Sequence, residues 1–417
     1  MIDRILILRY YRAHAHFIRA LLIYGGIWPR SKPSFFYQLF PIFLIFCGTV
    51  IILALGNFCW QNVTDLSLAT KGLGLFVSFC AVLFKVCTET SIVLFSVCRK
   101  DICKVHEQLE SLFEEALKDL RLHLPLLSLL RLFHRLTQAT TLCTCFVMAI
   151  YALRPPIVIA RQLITGATTK VYLLVFPGSY PWSVHSSMFL YAFHYIFEAQ
   201  FAWFAACVTS GVDSLFGFYM FQMSGILRVL AYKIQNVKTT DDHQELLLKC
   251  ITVHSQLIGY RNIVQKVFGP IVLLMALTNA LIMCSILFQA VHVMAILSII
   301  YIFAKITQTF VYAWCGNTLS EESEALQREI YCSDWYENKN RTYKTGILLL
   351  IMQRPITLTA CHFFNISFEF FVRVISHTSI KLQVHFKLHA KHITITTTFI
   401  LDSQHSLILL LSTANPR

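Results

Sequence analysis

Charged residues are scarce in this sequence. Asp, Glu, Lys and Arg make up 14% of its 417 residues, whereas a soluble domain carries roughly 25%. So few charges cannot cover a water-facing surface, and the composition therefore excludes an ordinary soluble protein. The net charge of +13 could indicate binding to nucleic acid, but the basic residues stand between apolar blocks. That arrangement is typical of membrane topology, and we expect no nucleic acid partner.

Motifs for catalysis and metal binding are also missing. The sequence has no nucleotide-binding loop, no paired catalytic carboxylates and no Ser or Cys nucleophile beside a His. Most of the 14 cysteines lie in apolar runs, where Cys behaves as a small hydrophobic residue. Cys143 and Cys145 are two positions apart and point to different sides of a helix, which does not suit a metal site. We therefore predict a protein that is not an enzyme and has neither a cofactor nor a metal.

What the sequence does contain is a series of long apolar runs. A run of about 20 apolar residues predicts a transmembrane helix, because an α-helix of that length spans the hydrocarbon core. The runs are Phe40–Trp60, Gly72–Cys98, Leu136–Ile157, Val184–Ser210, Val267–Phe288, Val293–Trp314 and a last one within Ile347–Thr378. The fold class that follows is an all-α, polytopic membrane protein with seven transmembrane helices.

Proline and glycine refine these boundaries. Pro41, Pro155–Pro156 and Gly269–Pro270 are taken as ends of spans. Arg354–Pro355 divides the last run, which predicts a short helix, a break and a longer helix from Ile356. The organisation predicted is an N-terminal arm (1–39), helices one to four with an outer ligand pocket (40–210), loops with helices five and six (211–355), a last helix (356–380) and a tail (381–417).

The placement of Lys and Arg predicts the orientation. Between the predicted spans, 23 of these residues fall on one side of the membrane and 4 on the other. Cytoplasmic loops carry the excess of basic residues, so the N-terminus is predicted to be cytoplasmic and, with seven spans, the C-terminus extracellular. Asn62, in Asn62-Val63-Thr64, then lies in an outer loop and is a candidate glycosylation site. With no visible signal peptide, we expect the first span to direct insertion.

Several motifs follow one another late in the chain. They are Ser320-Glu321-Glu322-Ser323, the box from Tyr331 to Tyr336 (Tyr-Cys-Ser-Asp-Trp-Tyr), Met352-Gln353-Arg354-Pro355 and the aromatic stretch Phe363–Phe371. In this order they resemble the insect odorant receptor family, and the earlier chain matches that family in layout. The resemblance implies a tetrameric cation channel in the plasma membrane of sensory-neuron dendrites, in which an odour-tuned subunit joins a shared co-receptor.

Two features that this chain lacks indicate which kind of receptor subunit it resembles. The co-receptor has a long insertion in its fourth loop, and this chain does not, so it resembles a tuning subunit. Insect gustatory receptors share the architecture but end in a Thr-Tyr-x5-Gln-Phe box, which is absent here.

The likeness to the family stops near residue 380, before a 37-residue tail. By position, Val384 and Lys387 would occupy the outer pore constriction, where a lysine would oppose cations.

The ligand pocket implied by the resemblance should bind a small, volatile, apolar molecule. Such pockets are mostly aromatic and aliphatic, with a few polar groups. The candidates, on the outer halves of spans two to four, are Phe76, Phe79, Leu83, Met148, Tyr151, Met188, Tyr191 and Tyr195. The alternative for each residue is that it packs between helices or faces lipid.

Ionisable residues inside the spans form a second set of candidates. Lys85 and Glu89 are four positions apart on one face of span two, so each could neutralise the other below the pocket. The alternative is that Lys85 extends towards the membrane surface and Glu89 belongs to a polar packing cluster. Glu198 and Lys305 are single ionisable residues of the same kind.

The aromatic box supplies a candidate contact between subunits. By resemblance, Tyr331, Trp335 and Tyr336 belong to an intracellular anchor, where aromatic side chains would dominate an interface; an ordinary cluster within one subunit is the alternative. The predicted function is an odour-gated, non-selective cation channel subunit acting with a co-receptor. A gustatory receptor, a G-protein-coupled chemoreceptor with an outside N-terminus and a secondary transporter with inverted repeats are the alternatives.

Overall fold

The computed structural model describes residues 2–28, 34–90, 96–117, 123–166, 171–235, 243–293 and 296–376, and these are almost entirely α-helical. The helices are α1 (Ile2–Tyr24), α2 (Phe35–Gln61), α3 (Leu66–Thr90), α4 (Ser96–Ala116), α5 (His123–Ile164), α6 (Met188–Gln235), α7 (His243–Val293), α8 (Ile296–Cys332), α9 (Arg341–Ile351) and α10 (368–376). Two 3-10 turns, Val184–Ser186 and Trp335–Glu337, precede α6 and α9. The predicted all-α class is confirmed over this part of the chain, apart from one small hairpin.

Five helices in the described ranges are long and apolar enough to cross a membrane. They are Phe35–Gln61, Leu68–Thr88, Leu129–Ile164, Met188–Gln235 and Gln244–Ile286. Each of these segments overlaps one of the first five predicted spans, although the second predicted span continues to Cys98 in α4. The sixth predicted span begins at Val293, the last residue of α7, and otherwise falls on α8. The seventh falls across α9, the hairpin and α10.

The helices extend well beyond the predicted spans. Pro41 lies inside α2, Pro155 and Pro156 lie inside α5, and Pro270 lies inside α7. The prediction that these prolines end spans is therefore wrong. A proline removes one backbone hydrogen bond, and neighbouring helices can compensate for that loss in a membrane.

The predicted fourth loop, 211–266, is also mostly helical. Helix α6 runs on to Gln235 and α7 begins at His243. A hydropathy scan detects only the membrane-length apolar part of a helix, whereas α6 continues with a buried apolar stripe that includes Leu227, Leu230 and Ile234.

The last predicted span is interrupted by a β-hairpin. Strands β1 (Thr359–Ala360) and β2 (Phe364–Asn365) pair antiparallel, with Thr359 opposite Asn365. Cys361 and His362 form the turn with positive φ angles of 49° and 64°. The prediction of a continuous helix from Ile356 is wrong for residues 356–367, because this backbone pairs with itself and with the helices beside it.

Three hydrogen bonds hold the hairpin in place. The Ile356 amide donates to the buried Ser323 hydroxyl of α8 at 2.9 Å, and the Thr359 amide donates to the Gln265 side chain of α7 at 3.2 Å. The Ile366 amide donates to the Leu358 carbonyl at 2.8 Å. Ser323 is the last residue of the Ser-Glu-Glu-Ser motif, and its neighbour Glu322 pairs with Arg228 of α6 (Nε–Oε2 3.1 Å). The motif thus joins α8 to α6 and to the hairpin.

The N-terminal arm is a helix packed against the rest of the fold. Tyr11 of α1 stacks between Phe113 of α4 and Phe218 of α6, with ring centroids 5.0 and 5.4 Å away. The Gln222 amide donates to the Tyr11 hydroxyl at 2.7 Å. His14 is fully buried, and burial lowers its pKa to about 3, so it stays neutral. Helix α6, buried over most of its length, is the element that the other helices surround.

Candidate ligand-binding site

The described helices α3, α5, α6, α7 and α8 enclose a cavity of about 70 Å³. Each contributes one face, because residues spaced by three and four positions lie on the same side of a helix. The spacing is four and then three positions on two of the helices: Ser78, Val82 and Lys85 on α3, and Tyr301, Lys305 and Gln308 on α8. Apolar lining comes mainly from Phe79, Val82, Val147, Met148, Ile271, Met275 and Ile282.

Asp213 of α6 is the centre of the polar part of the cavity. Its Oδ1 atom accepts hydrogen bonds from the Lys85 ammonium at 2.5 Å and from the Tyr312 hydroxyl at 2.7 Å. Its Oδ2 atom accepts from the Gln308 amide at 2.5 Å. The Lys85 residue is only 4% exposed, so its charge needs this carboxylate. The network ties α3, α6 and α8 together through one buried ion pair.

Polar residues around this centre are mostly satisfied within the fold. The Tyr301 and Ser78 hydroxyls lie 2.8 Å apart, and Ser78 also donates to the Gly74 carbonyl at 2.7 Å. The Asn279 amide of α7 donates to the Thr309 hydroxyl of α8 at 3.1 Å. The cavity therefore has few unused hydrogen-bonding groups, which suits a largely apolar occupant.

A loop at 171–183 packs against Phe79, one of the residues that line the cavity. Its Phe176 is buried and packs edge-on against Phe79, with ring centroids 4.8 Å apart. The fully buried Glu198 of α6 holds this loop, because its Oε2 accepts from the Phe176 amide at 3.0 Å and its Oε1 from the Tyr180 hydroxyl at 2.7 Å. Trp182 adds a second tie by donating to His194 Nε2 at 2.9 Å. Glu198 therefore anchors the loop 171–183 to α6.

Removing the Glu198 carboxylate is expected to release this loop. Glu198→Ala leaves the buried Phe176 amide without an acceptor, at a cost of about 1–3 kcal/mol. Glu198→Gln keeps one acceptor oxygen and should have an intermediate effect. Faster hydrogen exchange at residues 171–183 of the purified protein would measure the release. As a control, Glu369→Ala removes an exposed carboxylate that pairs with Arg373 in the described part of the chain, and it should change little. Equal protection in Glu198→Ala and the unaltered chain would contradict the anchor.

Comparison with known proteins decides the family. The family model described as 7tm Odorant receptor matches residues 71–378. The chain belongs to this family. The predicted resemblance to insect odorant receptors is confirmed, and this odorant receptor is of a receptor family rather than an enzyme family.

Individual relatives match over shorter stretches. Odorant receptor 85f of Drosophila melanogaster is 25% identical over 158 residues, which cover 36% of this chain and 40% of the relative. The odorant receptor coreceptor of Anopheles gambiae is 26% identical over 129 residues, which cover 29% of this chain and 27% of the relative. The chain thus spans two fifths or less of the length of these two relatives.

The fold is that of a solved olfactory receptor. The structure of the insect olfactory receptor OR5 from Machilis hrabei aligns with a TM-score of 0.72 at 14% identity, covering 93% of this chain and all of that chain. The same receptor in complex with eugenol aligns with a TM-score of 0.69. At this identity the likeness concerns the fold alone.

The structure brings two of the eight predicted pocket residues to the cavity of this odorant receptor. Phe79 and Met148 line it. The Tyr191 and Tyr195 hydroxyls instead donate to the Leu173 and Ala152 carbonyls, at 2.7 and 3.1 Å. The others lie away from the lining: Phe76 and Leu83 are half-buried on α3, Tyr151 is half-buried on α5, and Met188 is 64% exposed at the start of α6. Their contact with a ligand stays a prediction.

The structure gives Lys85 a partner that the sequence did not predict, Asp213 of α6. The side chain of Glu89, the partner predicted from spacing, lies outside the described residues, so that pairing stays a prediction. Asp213 is not identified from the sequence as an ionisable residue within a span, because the predicted fourth span ends at Ser210, three residues before it. An acidic residue in a helix that continues through the membrane is the signal that would have found it.

The remaining predicted residues lie far from the cavity or beyond the described chain. Tyr331 and Tyr336 are 67% and 59% exposed, and the Trp335 indole donates to the Tyr331 carbonyl at 3.3 Å. Asn62 caps the end of α2, where its side-chain amide donates to the Phe58 carbonyl at 2.8 Å. The pore candidates Val384 and Lys387 lie outside the described residues.

Proposed function

We propose that this odorant receptor is an odour-gated, non-selective cation channel subunit that works with a co-receptor in the perception of smell. The observation that carries the proposal is the cavity enclosed by five helices, one of which leads towards the last helix. The ligand is a small, volatile and mainly apolar molecule, which the aromatic and aliphatic lining favours. The proposal takes the chain as a seven-span plasma membrane protein, surrounded by lipid, with a cytoplasmic N-terminus and an extracellular C-terminus.

A short mechanical path supports gating by the cavity. Lys305 and Gln308 of α8 line the cavity, and Phe310 follows two positions later. The Phe310 ring packs against Phe368 and Phe371 of α10, with centroids 5.9 and 5.6 Å away. A ligand that favours one position of α8 therefore changes the packing of α10, the helix proposed to line the pore. Opening requires only that the ligand bind the open state better than the closed state.

The proposed assembly is a hetero-tetramer with the co-receptor. Exposed aromatic side chains of Tyr331 and Tyr336, next to the half-buried Trp335, form a patch that suits a subunit interface. This patch is our candidate for the intracellular anchor. The similarity of segments of the chain to a co-receptor as well as to odorant receptor 85f is in keeping with a shared architecture.

Filling the cavity tests the proposal. The chain is co-expressed with a co-receptor, and odour-evoked current is recorded across a broad panel. Ala81→Phe adds a ring at a lining position, and overpacking by about 1–3 kcal/mol should raise the half-maximal odour concentration by about 10- to 100-fold. The matched control is Ala160→Phe, at an exposed position of α5, which should leave the dose–response curve unchanged.

Three outcomes would contradict the proposal. One is an unchanged dose–response curve for Ala81→Phe with normal surface expression. Another is the absence of current for every odour although the unaltered chain reaches the surface. The third is an N-terminal epitope tag that antibodies reach on intact cells, because this orientation belongs to a G-protein-coupled receptor.

A further inference from the structure

The charges around the cavity do not balance. Among the described lining residues, Lys85, Lys305 and Asp213 carry a charge, which gives two ammonium groups for one carboxylate. An uncompensated charge inside a membrane protein is costly, and ionisable residues there usually pair with one another or face a functional pathway. One of the two lysines is therefore left for another partner.

The geometry identifies Lys305 as that lysine. Lys85 and Tyr312 donate to Oδ1 of Asp213, and Gln308 donates to its Oδ2. Among the described side chains, no carboxylate oxygen lies within the 4.0 Å of an ion pair with Lys305. Its ammonium donates to the Gln308 amide oxygen at 3.3 Å and lies 5.5 Å from the centroid of the Tyr301 ring. Neither contact cancels a full charge.

The cavity offers this ammonium an anionic partner of limited size. An ammonium group has three N–H donors and no acceptor, so the single bond to Gln308 leaves donors available. Phe79, Val82, Met148 and Ile282 line the same cavity with apolar surface. A molecule with a carboxylate at one end and a short hydrocarbon chain at the other matches both parts.

We propose that Lys305 binds the carboxylate of the ligand, so that this receptor is tuned to short-chain organic acids. The inference rests on the proposed function and adds the chemical class of the odorant. The hydrocarbon part of the acid lies against the apolar lining, and its carboxylate neutralises the Lys305 ammonium, with which Asp213 forms no ion pair. Because a carboxylic acid is ionised at pH 7, the charged form is the one bound.

Matched ligands and variants test this assignment. Pentanoic acid, pentanol and methyl pentanoate are compared on receptor co-expressed with a co-receptor, at pH 7. The unaltered chain should respond to the acid at a concentration at least tenfold lower than to the alcohol or ester. Lys305→Met should raise the half-maximal concentration of the acid at least tenfold and leave that of the alcohol unchanged, whereas Lys305→Arg should keep the preference. Lys71→Met, at an exposed position of α3, is the control.

Direct binding separates this inference from the proposed function. The purified complex is heated with pentanoate or pentanol, and pentanoate should raise the melting temperature of the unaltered chain but not of Lys305→Met. Responses to the alcohol and ester without any preference for the acid would overturn the inference and leave the proposed function standing. Silence in the recordings would contradict the proposed function, and the melting experiment would then decide the inference alone. A melting temperature that depends on chloride and not on pentanoate would show that an inorganic anion is the partner, which also overturns it.

Discussion

Asp213→Asn is expected to remove most of the receptor from the cell surface. The asparagine side chain has no charge, so Lys85, which is 4% exposed, and Lys305 are left without a carboxylate among the described lining residues. Breaking one side of a buried ion pair costs about 3–5 kcal/mol, a large part of the stability of most proteins. Surface biotinylation and the melting temperature of the purified complex measure the loss.

A double variant identifies the charge as the cause. Asp213→Asn combined with Lys85→Met removes both members of the pair, and uncharged replacements of a buried pair are often neutral. We therefore expect the double variant to recover most of the surface expression that the single variant loses. Glu324→Gln, which weakens the exposed pair between Glu324 and Arg328, should have no effect. A double variant as poorly expressed as the single one would contradict this explanation.

Gly316→Ala is expected to have the second large effect, at the contact between α8 and the hairpin. A Cβ atom at Gly316 would overlap the Ile366 carbonyl group and its side chain. The hairpin cannot move aside freely, because the Ile366 amide is bonded to Leu358 and the Ile356 amide to Ser323. Overpacking against backbone should cost about 3 kcal/mol, the upper end for such substitutions, and should displace the start of α10.

Gly259→Ala is the matched control for this prediction. Gly259 lies in α7, and nothing lies within 4 Å of the position that its Cβ would take. Alanine there should stabilise the helix by about 0.5–1 kcal/mol, because glycine is a poor helix former. Surface expression and odour-evoked current distinguish the two variants. Normal current from Gly316→Ala would show that the hairpin is not held against α8.

The features predicted correctly from the sequence are those that depend on neighbouring residues along the chain. Long apolar runs located the first five spans, and the motif Ser320–Ser323 pointed to the family. Position within the predicted outer halves of spans two and three also singled out Phe79 and Met148, which line the cavity. These signals depend on residues that are close together along the chain, so a single sequence is enough to detect them.

The features missed depend on contacts between distant residues. The partner of Lys85 is on another helix, 128 positions away, and spacing along α3 could not reveal it. The hairpin at 359–365 is held in place by hydrogen bonds to Gln265 and Ser323, which are distant along the chain. Without those partners, its apolar residues predict the start of a helix. Glu198 was visible as an ionisable residue in a span, but the loop amide that it binds could be found only from the fold.

The packing of α1 has a consequence for the order in which the chain matures during synthesis. Tyr11 is bonded to Gln222, 211 residues later, so α1 has no partner on α6 when it leaves the ribosome. At about 5–20 residues per second, the interval is about 10–40 s. Throughout this time the apolar side chains of Ile18 and Leu22, which the finished fold buries, lack their final neighbours. Helix α1 is therefore made long before it can pack against α6, and in a chain truncated before α6 its buried face has no partner there.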